Sequence, residues 1–209
     1  MRMQNSNSVC SVVDASVSAS RAAWLSGVSV VVGCLAMGLA AQVRIPVPGT
    51  DVPMTLQLLG VFLIGFALRP PLAVAAMVLY VVCGAFGLPV FAGPVGLAGT
   101  TGGYILGFIP AVWLVSALGH RRQTSTGRLF VAGFCGTLVV FVVGVGWRVA
   151  FFQGLGAGDA ALGMAIATGA APFAVKAIVE LALAATCARC VSRWIHGRRI
   201  VARPSYRSE

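Results

Sequence analysis

A chain of 209 residues that is 58% hydrophobic and only 10% charged, with a mean hydropathy of +0.93, is far too apolar for a soluble globular domain. Its net charge of +10 comes from 14 arginines and one lysine against five acids. The arginines lie between or beyond apolar runs and are not interleaved with aromatic residues, which argues against nucleic acid and for a topology signal in a lipid bilayer.

In chain order, Met1 to Ser20 is polar and serine-rich, and residues 1–21 are expected to form a polar tail. The apolar run after Arg21 is too long for a cleaved signal core and reads as a mature span. With Gly, Pro and charge clusters as punctuation, helices are predicted at 22–41, 55–68, 72–88, 103–119, 128–150 and 160–191. These six spans make an all-α membrane domain over 22–191, with 192–209 as a basic tail. The second and third are joined by Arg69-Pro70-Pro71, where proline ends one helix and starts the next, so they should form a hairpin. At about 1.5 Å per residue the sixth overshoots the bilayer, and Thr168 to Pro172 is its natural break. Two readings of the break stay open: a simple bend, or a half-helix starting at Pro172 whose N-terminal amides favour an anion.

With the N-terminus inside, the cytoplasmic basic set is Arg2, Arg21, Arg69, Arg121, Arg122, Arg128, Arg189, Arg193, Arg198, Arg199, Arg203 and Arg207, against Arg44 and Arg148 outside. This imbalance places both termini on the cytoplasmic side. The outer connections are then Arg44 to Pro53, Pro89 to Gly102 and Gln153 to Asp159. The middle one, within LPVFAGPVGLAGTTGG, is too irregular for a helix and too apolar for a solvated linker. It is either a lid over a pocket or a compact connection.

Lys176 and Glu180 are the ionisable groups predicted deep within a span, and each would cost about 2.5 to 3.5 kcal/mol facing lipid, so both must face inward. Four residues apart, they share a helix face and are open to two uses, a structural ion pair or a ligand site. If the helix leaves the membrane near Val191, Lys176 stands about 22 Å higher, beneath the glycine-rich outer loops. There its ammonium suits a ligand carboxylate, and Glu180 one turn deeper suits ligand N–H groups. Thr55, Gln57 and Tyr104 are polar groups at outer helix ends where a pocket would form. Tyr104 and Trp147 read equally as interfacial belt residues.

Enzyme signatures are missing. The single lysine follows Val175, so no phosphate loop exists, and His120 and His196 lie in basic segments without a paired carboxylate. The acids Asp14, Asp51, Asp159, Glu180 and Glu209 are scattered, which leaves a metal-dependent lipid enzyme without ligands. Cys10, Cys34, Cys83, Cys135, Cys187 and Cys190 suggest no disulfide framework, and Cys187, Cys190 and His196 lack zinc-module spacing. The expectation is a chain with no metal or cofactor and no catalysis of its own, drawing any energy for uptake from a partner or an ion gradient. Ala36 and Ala40 permit close helix approach in the first span.

The segment RIPVPGTDVPMTLQLLGVFLIGFALRPPLAVAAMVLYVVCGAFGLPVFAG, followed by GTTGGYILGF, resembles the BioY family, the biotin-binding substrate-specificity subunits (S components) of energy-coupling factor (ECF) transporters. Its most specific parts are Ile45-Pro46, Val52 to Gln57, Gly87 to Phe91 and Thr101 to Tyr104. The resemblance implies a six-helix S-component bundle that captures biotin. It also implies a transmembrane coupling subunit and two ATPases that hydrolyse ATP, although some relatives act alone. By the same resemblance, Ala36 and Ala40 would meet the coupling subunit, and Lys176, Gln57, Tyr104, Glu180, Thr55, Gly102 and Gly103 would serve the ligand. The last helix departs from the family pattern Pro-Phe-x-x-Gly-Asp-x-x-Lys, since Pro172-Phe173 is followed by Ala-Val-Lys176. Either the segment is shortened and Lys176 keeps the lysine role, with Glu180 as substitute acid, or Glu180 itself stands at the lysine position. A different vitamin on the same fold is the alternative ligand.

Overall fold

A computed structural model describes the backbone of residues 4–50, 52–93, 96–120 and 125–201, and side-chain surroundings for those between 19 and 191. Cys10, Asp14, Asp51, His196, Glu209 and the arginines at 2, 121, 122, 193, 198, 199, 203 and 207 fall outside the residues whose side chains are described.

The chain is a bundle of α-helices: α1 (Gln4–Gln42), α2 (Gln57–Ala67), α3 (Pro70–Ala85), α4 (Gly102–Gly119), α5 (Thr126–Gly154), α6 (Ala161–Gly169) and α7 (Ala171–Val201). Four stretches are long and apolar enough to cross a membrane, 19–42, 102–119, 126–154 and 158–191, and α2 and α3 are shorter apolar helices. All six expected segments are helical, the last as α6 and α7 with the break at Ala170, inside the segment that the sequence marks. Helix α1 begins at Gln4, well before the expected start at residue 22. Arg69, extended at φ −65° and ψ 152°, turns α2 into α3, and Pro70 and Pro71 occupy the first helical positions, where a missing N–H costs nothing.

Lipid offers no hydrophobic force between helices, so close approach depends on small residues. Helices α4 and α5 form the most extensive pair. Gly144 of α5 lies against the ring of Tyr104, and Gly103 of α4 against the side chain of Trp147, so a Cβ at either position would overlap that neighbour. In α1 the packed face runs through Gly33, Met37 and Ala41, while Ala36 is exposed and Ala40 half-buried. Large apolar side chains such as Leu35, Val142 and Val175 cover the outside of the bundle, as a lipid-facing surface requires.

The two ends of the bundle differ. At one, Ser116 Oγ donates to Leu68 O at 2.5 Å, His120 Nδ1 lies 3.1 Å from Phe66 O, Arg128 Nε donates to Leu118 O at 2.5 Å, and Arg189 bonds to Thr126. Arg69, Arg128 and Arg189 thus gather there. The opposite end carries a short antiparallel pair, β1 (Arg44–Ile45) with β2 (Met54–Thr55), in register Arg44 to Thr55. It also carries a 3₁₀ turn at Gly96–Ala98, in a segment that the sequence suggests is irregular throughout.

Candidate functional site

At the end with the β pair, a cavity of about 730 Å³, its open mouth included, sinks between α2, α4, α5 and α7. Thr55 and Gln57 enter it because β2 runs directly into α2, and the N–H of Leu56 is held by the carbonyl of Ala40 at the end of α1 (3.2 Å). Thr55 Oγ1 donates to Gln57 Oε1 at 2.8 Å, and Gln57 Nε2 donates to Tyr80 Oη at 2.8 Å. Tyr80, fully buried, donates in turn to Val90 O at 3.3 Å. The relay fixes the orientation of the Gln57 amide and uses its polar atoms inside an apolar wall, where an unpaired group would be costly.

Tyr104, at the start of α4, contributes its ring and donates from Oη to Gly169 O at 2.8 Å. Lys176, one and a half turns into α7, reaches the cavity from the other side. Its Nζ lies 2.8 Å from Glu180 Oε2, and the two side chains are 20% and 4% exposed. Phe91, Ile105, Phe108, Phe141 and Phe173 are among the apolar residues of its wall. Such a lining, largely apolar with a few oriented polar groups and one cation, suits a small amphipathic ligand.

Of the residues singled out from sequence, Thr55, Gln57, Tyr104 and Lys176 line this cavity. Glu180, Gly102 and Gly103 do not. Glu180 is buried behind Lys176, and its Oε1 has no hydrogen-bond partner among the described residues. The two glycines are buried packing positions, with Leu97 and Trp147 occupying the space where their side chains would be. Two of the three expected outer connections reach the cavity, through Val52 and Pro53 and through Phe91 to Gly93 with Gly96. Residues 153–159 do not. Trp147, half-exposed, donates from Nε1 to Gly99 O at 3.0 Å and so ties α5 to the segment over the cavity.

The sequence reading counted Arg148, near the end of the predicted 128–150 span, among the outer basic residues. It lies within α5 and is fully buried, with its guanidinium 5.0 Å from the centre of the Phe152 ring and Nη2 donating to Thr168 Oγ1 at 2.6 Å. Together with Thr50 Oγ1, which donates to Thr168 O at 2.6 Å, and Tyr104 Oη on Gly169 O, it fastens the end of α6 beside the cavity. The missed signal was an arginine inside an apolar helix, which faces protein by default because lipid cannot solvate it. Tyr80 and Phe91 were also missed as cavity residues; nothing in a single sequence marks which aromatics of an apolar helix turn inward, as Tyr80 does, and Phe91 sits in the irregular segment after α3.

An apolar helical bundle with membrane-crossing helices and an amphipathic cavity bordered by irregular loops at one end defines the class: a membrane-embedded small-molecule-binding protein. Residues 13–197 match the BioY family, and the chain belongs to it. It is 32% identical over 150 residues to a protein of Pyrococcus horikoshii named "Probable biotin transporter BioY", covering 70% of this chain and 83% of that one. With the biotin transporter BioY of Thermotoga maritima it shares 33% over 148 residues, 69% of this chain and 83% of the relative. The fold resembles the crystal structure of an S-component for biotin from an ECF-type ABC transporter, with a TM-score of 0.68 and 18% identity, covering 83% of this chain and 93% of the other.

Proposed function

We propose that this chain captures biotin as the membrane-embedded S component of an ECF-type uptake system. The observation that carries the reading is the cavity itself: within a BioY-family bundle, Gln57, Thr55 and Tyr104 interrupt an apolar wall that has one lysine at its edge. The fused rings of biotin would pack between Phe91, Phe108 and Phe173, the ureido group would exchange hydrogen bonds with Thr55 and Gln57, and Lys176 would receive the carboxylate. Glu180 would act from behind, holding the ammonium in place.

In this reading the cavity end faces outward and the end with Arg69, Arg128 and Arg189 faces the cytoplasm of the plasma membrane, as the basic-residue imbalance favours. The membrane domain runs over 22–191. Reorientation against a transmembrane coupling subunit would release the ligand inward, with ATP hydrolysed by two partner ATPases and no catalysis or cofactor in this chain. Exposed Ala36, beside an apolar groove between α1 and α2, supports a helix contact through Ala36 and Ala40. A second reading, the same fold with another vitamin, is favoured by one feature: Glu180 already neutralises the lysine that an acidic ligand would need.

The deciding experiment is equilibrium binding of labelled biotin to the purified protein, with unlabelled biotin, riboflavin and thiamine as competitors. Saturable binding displaced by biotin alone is expected; displacement by another vitamin, or no binding by folded protein, would reject the assignment.

A further inference from the structure

A second cavity opens beside the first at the same end, about 1090 Å³ with its mouth, and the two share Phe91, Gly93 and Gly96. Phe91 lines both. It meets the Tyr80 ring edge-on, centroids 5.3 Å apart at 77°, and occupies the space that a side chain at Gly84 would fill. Its ring is buried, yet the chain around it is held by polar side chains from the end of α1 and from β1. Arg44 Nη2 donates to Phe91 O at 3.3 Å and to Gln42 Oε1 at 2.6 Å, and Gln42 Nε2 donates to Pro89 O at 3.0 Å. The first, inner cavity holds Gln57 and Lys176. The second forms an outer chamber whose single charged lining residue, among those described, is Arg44.

This arrangement has a chemical asymmetry. The inner cation is paired with Glu180 at 2.8 Å, whereas the outer one bonds only to neutral oxygens among the described contacts. A guanidinium at the mouth of a low-dielectric cleft therefore presents the less compensated charge to an approaching anion, and it raises the local concentration of anions there. Gly84 and Gly96 border the Phe91 ring and place no side chains against it. We propose that the outer chamber is an entry site for a carboxylate-bearing ligand, in which Arg44 meets the carboxylate and Phe91 is the movable wall between entry and binding cavities. The inference rests on the ligand class proposed above.

The test is binding kinetics with biotin and with its uncharged amide, at low and high salt. Wild type is compared with Arg44→Gln, Arg44→Lys, Phe91→Ala and Phe91→Leu. Arg44→Gln should slow association of the acid by roughly threefold or more at low salt, converge with wild type at high salt, and leave the amide unaffected. Arg44→Lys should retain fast association even though its shape differs. Phe91→Ala, or the milder Phe91→Leu if alanine prevents folding, should raise association and dissociation rates together, with a smaller change in their ratio. An unchanged on-rate for the acid in Arg44→Gln, or a Phe91 variant that accelerates dissociation alone, would overturn the entry site while biotin binding stood. Absence of biotin binding by wild type would remove the ligand assignment, and the entry site with it.

Discussion

Removing the charge of Lys176 separates two things that this residue does. It is half of a buried pair with Glu180, and it is the cation on the cavity wall. Truncating one partner of a buried pair leaves the other charge uncompensated, a cost of about 3 to 5 kcal/mol, whereas removing both is close to neutral. Lys176→Ala should therefore lower the unfolding temperature sharply, and Lys176→Met with Glu180→Gln should largely restore it. The ligand contact is separate. A hydrogen bond to a charged group contributes about 1.5 to 3 kcal/mol, roughly a 10- to 150-fold change in Kd. The double variant should accordingly stay folded but bind biotin that much more weakly, with the uncharged amide unaffected. Glu180→Gln alone should act in the opposite direction. A carboxylate that shares the ammonium lies about 6 Å from Glu180, and at an effective dielectric of about 20 that repulsion is on the order of 2 to 3 kcal/mol. Calorimetric titration of acid and amide against the four proteins measures both effects. If the ratio of acid to amide affinity were the same in all four, Lys176 would not be the carboxylate site.

Three further outcomes follow from the geometry. Tyr80→Phe removes the acceptor of the buried Gln57 amide and should cost about 1 to 3 kcal/mol of stability while weakening ligand binding, both read from thermal unfolding with and without biotin. Gly144→Ala pushes into the Tyr104 ring, so Tyr104 must leave its bond to Gly169; affinity should fall with little loss of folded protein, as a titration on the chromatographically monodisperse variant would show. For topology, single cysteines placed at Asp159 and at Thr126 in a cysteine-free background should react with a membrane-impermeant thiol reagent from outside and inside the cell respectively, and the reverse pattern would invert the orientation.

How far the sequence carried each conclusion depended on whether the relevant force is local. Span positions were legible because hydrocarbon imposes length and apolarity on consecutive residues, and the α2–α3 hairpin because two prolines restrict the backbone where they stand. The break before α7 was equally local. The cavity was legible only in part: Thr55, Gln57, Tyr104 and Lys176 are polar residues at helix ends or inside a span, and lipid leaves such residues few places to go. Tyr80 was not, because an aromatic in an apolar helix satisfies lipid and protein alike, and only packing decides which it faces; Phe91 was not, because it lies in the irregular segment after α3, where no helical periodicity marks a face.

Arg148 and Gly103 show the same limit from opposite directions. Counting arginines by their distance from span ends works when each extends to water, and it miscounts one that finds its partners inside the bundle, as Arg148 does with Thr168 and the Phe152 ring. A glycine in a family motif looks like a ligand contact, but Gly103 is needed because Trp147 fills the space of its side chain, and Trp147 in turn holds Gly99 over the cavity. Motif positions of this kind shape the cavity by setting how closely α4 and α5 approach. Ligand contact and helix packing are consequently mixed within one short motif, and a substitution there must be read against the helix interface before it is read against the ligand.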